Sequence, residues 1–215
     1  MRRTISLGFT LLALLTSGGC EQFNSAFNYF QGNTPGRYAR LLEDENSADN
    51  RRLGLSELAK KDFARKPPYT TRFQQIYQSD PDPLVRAMAI RSLNVARDES
   101  ASALYIRALN DVDAQVRLEG AKALGNMPTD GAIDALLKLL NAPEESQDIR
   151  IAAADALRHY HRRAVATALV GVLDERQFGV AWQARRSLKR ISGVDYAYDA
   201  PAWLEYLSNP SQPLS

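Results

Sequence analysis

The sequence predicts an all-α protein, a right-handed α–α superhelix of about five helical hairpins. Three observations predict it. A twelve-residue amphipathic pattern recurs along the chain at a near-constant step. The breaks between copies fall at proline and glycine. No apolar alternation of period two persists anywhere.

The pattern is clearest in Asp113-Ala-Gln-Val-Arg-Leu-Glu-Gly-Ala-Lys-Ala-Leu124. Small residues at the third and sixth places after the arginine lie on one helical face and admit a neighbouring helix. The leucine one place further fills the gap between them. Copies aligned on this arginine centre on Arg51, Arg86, Arg117 and Arg150, with Ala181 in the slot of a fifth. The steps between positions 51, 86, 117, 150 and 181 are 35, 31, 33 and 31 residues. A step of this size marks stacked repeats, each unable to bury its apolar face alone.

An aspartate stands two or four residues before each of the first four arginines: Asp49, Asp82, Asp113 and Asp148. Aspartate there suits a helix N-cap. It is also placed to meet the arginine of a neighbouring copy. Asp82, Arg86, Asp113, Arg117, Asp148 and Arg150 are therefore read as members of a structural ladder of ion pairs running from copy to copy.

Asp-x-x-Val-Arg followed by spaced alanines and a leucine resembles the HEAT-like repeat, in the short form found in phycobilin lyases. Residues 82–93 and 113–124 match best, and the resemblance covers about 36–192. It implies a HEAT/armadillo-like solenoid. The Trp, Gly, Tyr and Pro places of tetratricopeptide repeats and the Thr-Pro-Leu-His of ankyrin are absent.

Residues 1–19 read as a signal peptide. Arg2 and Arg3 form a basic start, Ile5 to Leu15 is an apolar run too short to span a bilayer, and small residues lead to Cys20. The segment resembles a bacterial lipobox at Gly19 and Cys20, with Ser17 where leucine is usual. That resemblance implies acylation of Cys20, the one cysteine of the chain, and a periplasm-facing protein anchored in the cell envelope by its lipid. Glu21 after the cysteine favours the outer over the inner membrane. Residues 20–35 read as a tether, although Phe23, Phe27, Tyr29 and Phe30 are suited to covering the first repeat.

Five helical hairpins are expected over 36–192. Their first helices are Gly36–Glu45, Tyr69–Ser79, Ser100–Asn110, Asp130–Ala142 and Arg162–Asp174, and their second helices begin near 49, 82, 113, 146 and 178. The second helices are expected to line the concave side. Residues 193–215 read as a capping helix, with Trp203, Leu204 and Leu207 covering the last apolar face, and a loose tail from Asn209.

Charge says more about function than any motif does. The full chain has 27 Lys+Arg and 25 Asp+Glu, and removal of Arg2 and Arg3 with the signal leaves it formally neutral. That argues against a nucleic-acid partner. The distribution is uneven: residues 98–149 carry four bases and ten acids, and residues 150–190 carry nine bases and three acids. Ser56, Arg91, Lys122, Asp155 and Arg186 form one column five places after the alignment position. Arg91, Lys122, Arg158, Arg186, Lys189 and Arg190 are the candidate partner-binding residues, in a groove whose basic C-terminal end suits an acidic segment.

Catalytic signals are thin. His159 and Asp155 are four apart and could pair, but no zinc pattern, phosphate loop or nucleophile elbow occurs. No cofactor or metal is expected. The expectation is a monomeric, non-catalytic scaffold that binds a protein partner. The alternatives are a lyase-type enzyme or accessory resting on His159 and Asp155, and an idle spacer.

Overall fold

The computed structural model describes residues 35–214. The expected signal, Cys20 and nearly all of the expected tether, with its aromatic residues, lie outside the described residues. Within them the chain is all helical. The first hairpin pairs α1 (Pro35–Leu41) with α2 (Ala48–Ala59), and the second pairs α3 (Tyr69–Ser79) with α4 (Pro83–Ala96). The third pairs α5 (Ser102–Ala108) with α6 (Ala114–Asn126), and the fourth α7 (Ile133–Leu140) with α8 (Gln147–Leu157). The fifth pairs α9 (Arg163–Val170) with α10 (Phe178–Ser192), and α11 (Ala200–Ser208) closes the stack against α9. None of these helices is long and apolar enough to cross a membrane.

The second helices start within one residue of the expected positions. The first helices are shorter than expected, apart from α3. Both α5 and α7 open with a tighter turn, at Glu99–Ala101 and Asp130–Ala132. Aspartates cap two second helices as expected. Asp82 accepts from the Leu84 and Val85 amides at 2.9 and 3.0 Å, and Asp113 from Gln115 and Val116 at 2.9 and 3.3 Å. Asp49 and Asp148 do not cap. Ser47 and Ser146 take that place, because in these copies the aspartate already lies in the first helical turn.

Consecutive second helices pack along their lengths, α2 on α4, α4 on α6, α6 on α8 and α8 on α10, whereas consecutive first helices meet sparingly. The second helices thus form the one continuous row along the stack, and its exposed surface is the candidate inner, concave side. The leucine column of the repeat, Leu58, Leu93, Leu124, Leu157 and Leu188, is fully buried and joins one continuous interior. The small-residue places do what close approach requires. A Cβ on Gly120 would meet the Ala108 Cβ at 2.8 Å and the Tyr105 carbonyl at 3.1 Å, so α5 crosses α6 with no room for a side chain. Two serines at the sixth place tie neighbouring repeats: Ser92 Oγ lies 3.3 Å from the Leu55 carbonyl, and Ser187 Oγ donates to the Ala154 carbonyl at 2.7 Å.

The arginine ladder forms with different acids. Arg51 pairs with Asp80, Arg86 with Asp111, Arg117 with Glu145 and Arg150 with Glu175. Each acid lies in the loop just before the next repeat's second helix. The expected rungs are therefore corrected. Asp82 and Asp113 are engaged by their own helix N-termini, and exposed Asp148 takes no part. Arg117 shows the scheme. Its Nε and Nη2 hold Glu145 at 2.7 and 2.9 Å, while Nη1 donates to the carbonyls of Asp111 and Val112 at 2.8 and 3.0 Å. One guanidinium thus fastens the loop of its own repeat to the loop of the next. The acid also accepts from a cap amide, as Asp111 does from Asp113 N at 2.9 Å. Hydrogen bonding from Arg117 holds the Glu145 carboxyl below the usual range. At Asp111 burial pushes the pKa up, but bonding from Arg86 outweighs it and the net is again downward.

The C-terminal end differs from expectation in two ways. Leu204 is exposed, and Trp203, Tyr206 and Leu207 do the covering. The tail is held in place: Arg163 donates to the carbonyls of Leu207, Pro210 and Gln212, and Tyr206 Oη donates to Pro213 at 2.7 Å. The sequence pattern shows apolar spacing but cannot show a guanidinium reaching backbone carbonyls 44 to 49 residues away.

Candidate protein-binding groove

The inner faces of α2, α4, α6, α8 and α10 carry three clefts in sequence. The first, about 210 Å³, lies over Met88, Arg91 and Glu119. The second, about 370 Å³, is walled by Leu118, Lys122, Asp148, Ile151, Ala152, Asp155 and Gln183. The third, about 680 Å³, shares Asp155 and Gln183 with the second and adds Arg158, His159, Arg186, Lys189 and Arg190. The second and third clefts are thus adjoining parts of one groove.

The six candidate cations divide by their surroundings. Arg91 is bidentate to Glu119 at 2.7 and 3.1 Å, and Lys122 reaches the same carboxylate at 3.3 Å. Glu119 is buried. Burial raises its pKa, but bonding from Arg91 and the charges of Lys122 and Arg91 outweigh that, and the carboxyl stays below the ordinary glutamate value. An ionised, buried glutamate therefore engages both candidate cations of the N-terminal half of the groove and offsets one of their two charges. Arg91 and Lys122, both candidates for a partner by sequence, each contact Glu119, two places after Arg117.

The C-terminal half keeps its charge. Arg158 is engaged by Asp155 and by the carbonyls of Asp155 and Gly125. Lys189 lies 3.6 Å from Asp195, which Arg185 holds from two nitrogens and keeps at a pKa of about 2. Arg186 stacks on the Trp182 ring, 4.6 Å from its centroid. Among the described residues neither Arg186 nor Arg190 has an ion pair, and both are exposed. Four cations line the third cleft against one carboxylate, Asp155.

A family model for HEAT repeats matches residues 70–158. The match spans the second, third and fourth hairpins, from the first turn of α3 to the end of α8. No curated protein matches the chain. With helices packed in neighbouring pairs throughout, the fold is a HEAT-like helical repeat solenoid. HEAT repeats generally serve as protein-interaction scaffolds.

His159 and Asp155, the pair expected for a lyase-type alternative, both line the third cleft but are engaged by other groups. α8 ends at Leu157, so His159 leaves the helical register. Its Nε2 lies 2.9 Å from the Gly125 carbonyl, which only accepts, so that nitrogen carries the proton. Asp155 instead pairs with Arg158 and accepts from Gln183 at 2.8 Å. No cluster of three or more metal-ligating side chains occurs among the described residues.

The sequence reading missed Trp182. It is 43% exposed although indoles are ordinarily well buried. It occupies the place one after the alignment position, in column with Leu118 and Ile151 on the earlier inner helices. That column was the available signal, because a half-exposed apolar stripe along successive copies marks a contact surface.

Proposed function

We propose that this protein is a non-catalytic scaffold of the bacterial cell envelope, held to a membrane by a lipid on Cys20, whose concave groove binds a protein partner. The observation that carries the reading is the groove itself. Five inner helices present one surface, with unpaired arginines and half-exposed apolar side chains at its C-terminal end. Rigid presentation keeps the ordering cost of binding low, because repeats locked by arginine rungs have little freedom to lose. A lipid anchor would add local concentration without adding contacts. The neutral balance of the chain after residue 19 points to a patterned, local recognition rather than bulk electrostatic attraction.

The test is photo-crosslinking in cells from Lys122 and Arg186 on the inner helices, compared with Arg107 and Lys138 on the outer ones. Discrete protein adducts from the inner positions alone are expected. The same adducts from all four positions would overturn the assignment of the groove. Cys20→Ser tests the anchor separately: the protein is expected to leave the membrane fraction, and persistence there would contradict lipidation.

A further inference from the structure

We infer that the α8–α10 end of the groove is a two-part seat for a protein segment in which an acidic cluster adjoins a bulky apolar side chain. The inference rests on the groove reading above and adds the chemistry of the occupant.

The acidic part follows from which cations remain available. Glu119 already engages both Arg91 and Lys122, so those two cations are less available to an anion than cations with no ion pair. At the other end Arg186 and Arg190 lie one turn apart on α10 and, among the described residues, have no carboxylate of their own. Arg186 lies over the Trp182 ring, a contact a guanidinium can make while its N–H groups still pair with a carboxylate. Asp155, the one acid lining the cleft, is already engaged by Arg158 and Gln183.

The apolar part follows from what adjoins that charge. The neighbouring cleft shares the Asp155 and Gln183 wall, and Leu118, Ile151 and Ala152 line it together with Lys122 and Asp148. Trp182 precedes Gln183, which lines both clefts, and contacts Arg186 of the third. The site that a Cβ on Gly179 would fill lies 2.9 Å from the Ile151 Cδ1, so Ile151 packs at the root of α10 one turn before Trp182. A free phosphate or an isolated anionic headgroup would use the arginines and leave these apolar side chains in water. A peptide carrying both kinds of side chain uses both. Exposed Trp and Arg in one patch are also the residue types that dominate protein-binding energetics.

The experiment uses the purified full chain and a fluorescent peptide of about fourteen residues rich in Asp and Glu with two leucines. Its controls replace the leucines by serine, or replace the peptide by inorganic phosphate or by vesicles of anionic phospholipid. The leucine-bearing peptide is expected to bind and to shift the emission of Trp182, with buried Trp203 as an unchanging background. Arg186→Glu with Arg190→Glu, and separately Trp182→Ser, should each weaken binding by about tenfold or more, matching a hot-spot loss above about 1.4 kcal/mol. Arg107→Glu with Lys138→Glu, on exposed outer positions, should leave it unchanged. Equal binding of the serine peptide, equal competition by phosphate or vesicles, or no binding at all overturns the two-part seat. If crosslinks in cells remain confined to the inner helices in that event, the groove reading stands and only its occupant is wrong. If those crosslinks are also unspecific, both fall.

Discussion

Arg117→Ala tests how the repeats are fastened. The side chain makes four hydrogen bonds, two to Glu145 and two to the carbonyls of Asp111 and Val112. Its side chain is 20% exposed and that of Glu145 is 10% exposed, so the substitution strands a mostly buried carboxylate and two carbonyls. Removing one member of a buried pair costs about 3–5 kcal/mol. Glu145 keeps the Ser146 amide at 3.1 Å and some access to water, which puts the expected loss near the low end, about 3 kcal/mol. Arg52→Ala breaks a pair whose aspartate is 82% exposed, and should cost less than about 1 kcal/mol. Urea unfolding followed by far-ultraviolet circular dichroism measures both. The double variant Arg117→Met with Glu145→Leu should recover much of the loss, since apolar groups of similar volume need no partner. A loss below about 1 kcal/mol for Arg117→Ala, or no recovery in the double variant, would refute the rung as the fastening between the third and fourth repeats.

Further outcomes follow from the packing. Leu124→Ala should cost about 2–5 kcal/mol, because Leu124 is fully buried, whereas Lys122→Ala should cost little while Arg91 still holds Glu119; chemical denaturation of the two variants distinguishes them. Gly120→Ala should destabilise although alanine favours helix by about 1 kcal/mol, because its Cβ would meet Ala108 at 2.8 Å. Gly125→Ala, with its nearest neighbour at 3.4 Å, should be the better tolerated of the two in the same assay. The lowered carboxyls of Asp111, Glu119 and Glu145 set the acid response. Their contribution is fully present above the unfolded carboxylate pKa, about 4, and is lost as pH falls through the lower folded values; a thermal melt series across that range should show stability level above it and falling below it.

Much of the fold was legible because repetition averages over local ambiguity. The starts of the second helices could be read from Arg51, Arg86, Arg117 and Arg150 because one physical requirement, burial against the next copy, recurs at each. The ladder was legible only by half. The arginines have a fixed place in the pattern, but their acids sit in loops and change identity, from Asp80 and Asp111 to Glu145 and Glu175. Apolar spacing also does not reveal where backbone tightens, so α5 and α7 begin later than their apolar residues suggest. At the groove, counting charge marks a basic stretch in sequence but cannot show that Glu119 takes Arg91 and Lys122. Trp182 went unrecognised because one exposed indole has meaning only beside the column it shares with Leu118 and Ile151.

Every functional statement depends on the second helices forming one unbroken inner row. A pair of spin labels at positions 91 and 186, in the Cys20→Ser background, measures that row across three helix-to-helix steps. With neighbouring axes about 8–10 Å apart, a single narrow distance of about 25–30 Å is expected. A broad distribution, or a main distance beyond about 45 Å, would contradict a continuous row and with it the groove, because helices packed at that spacing cannot place the labels so far apart.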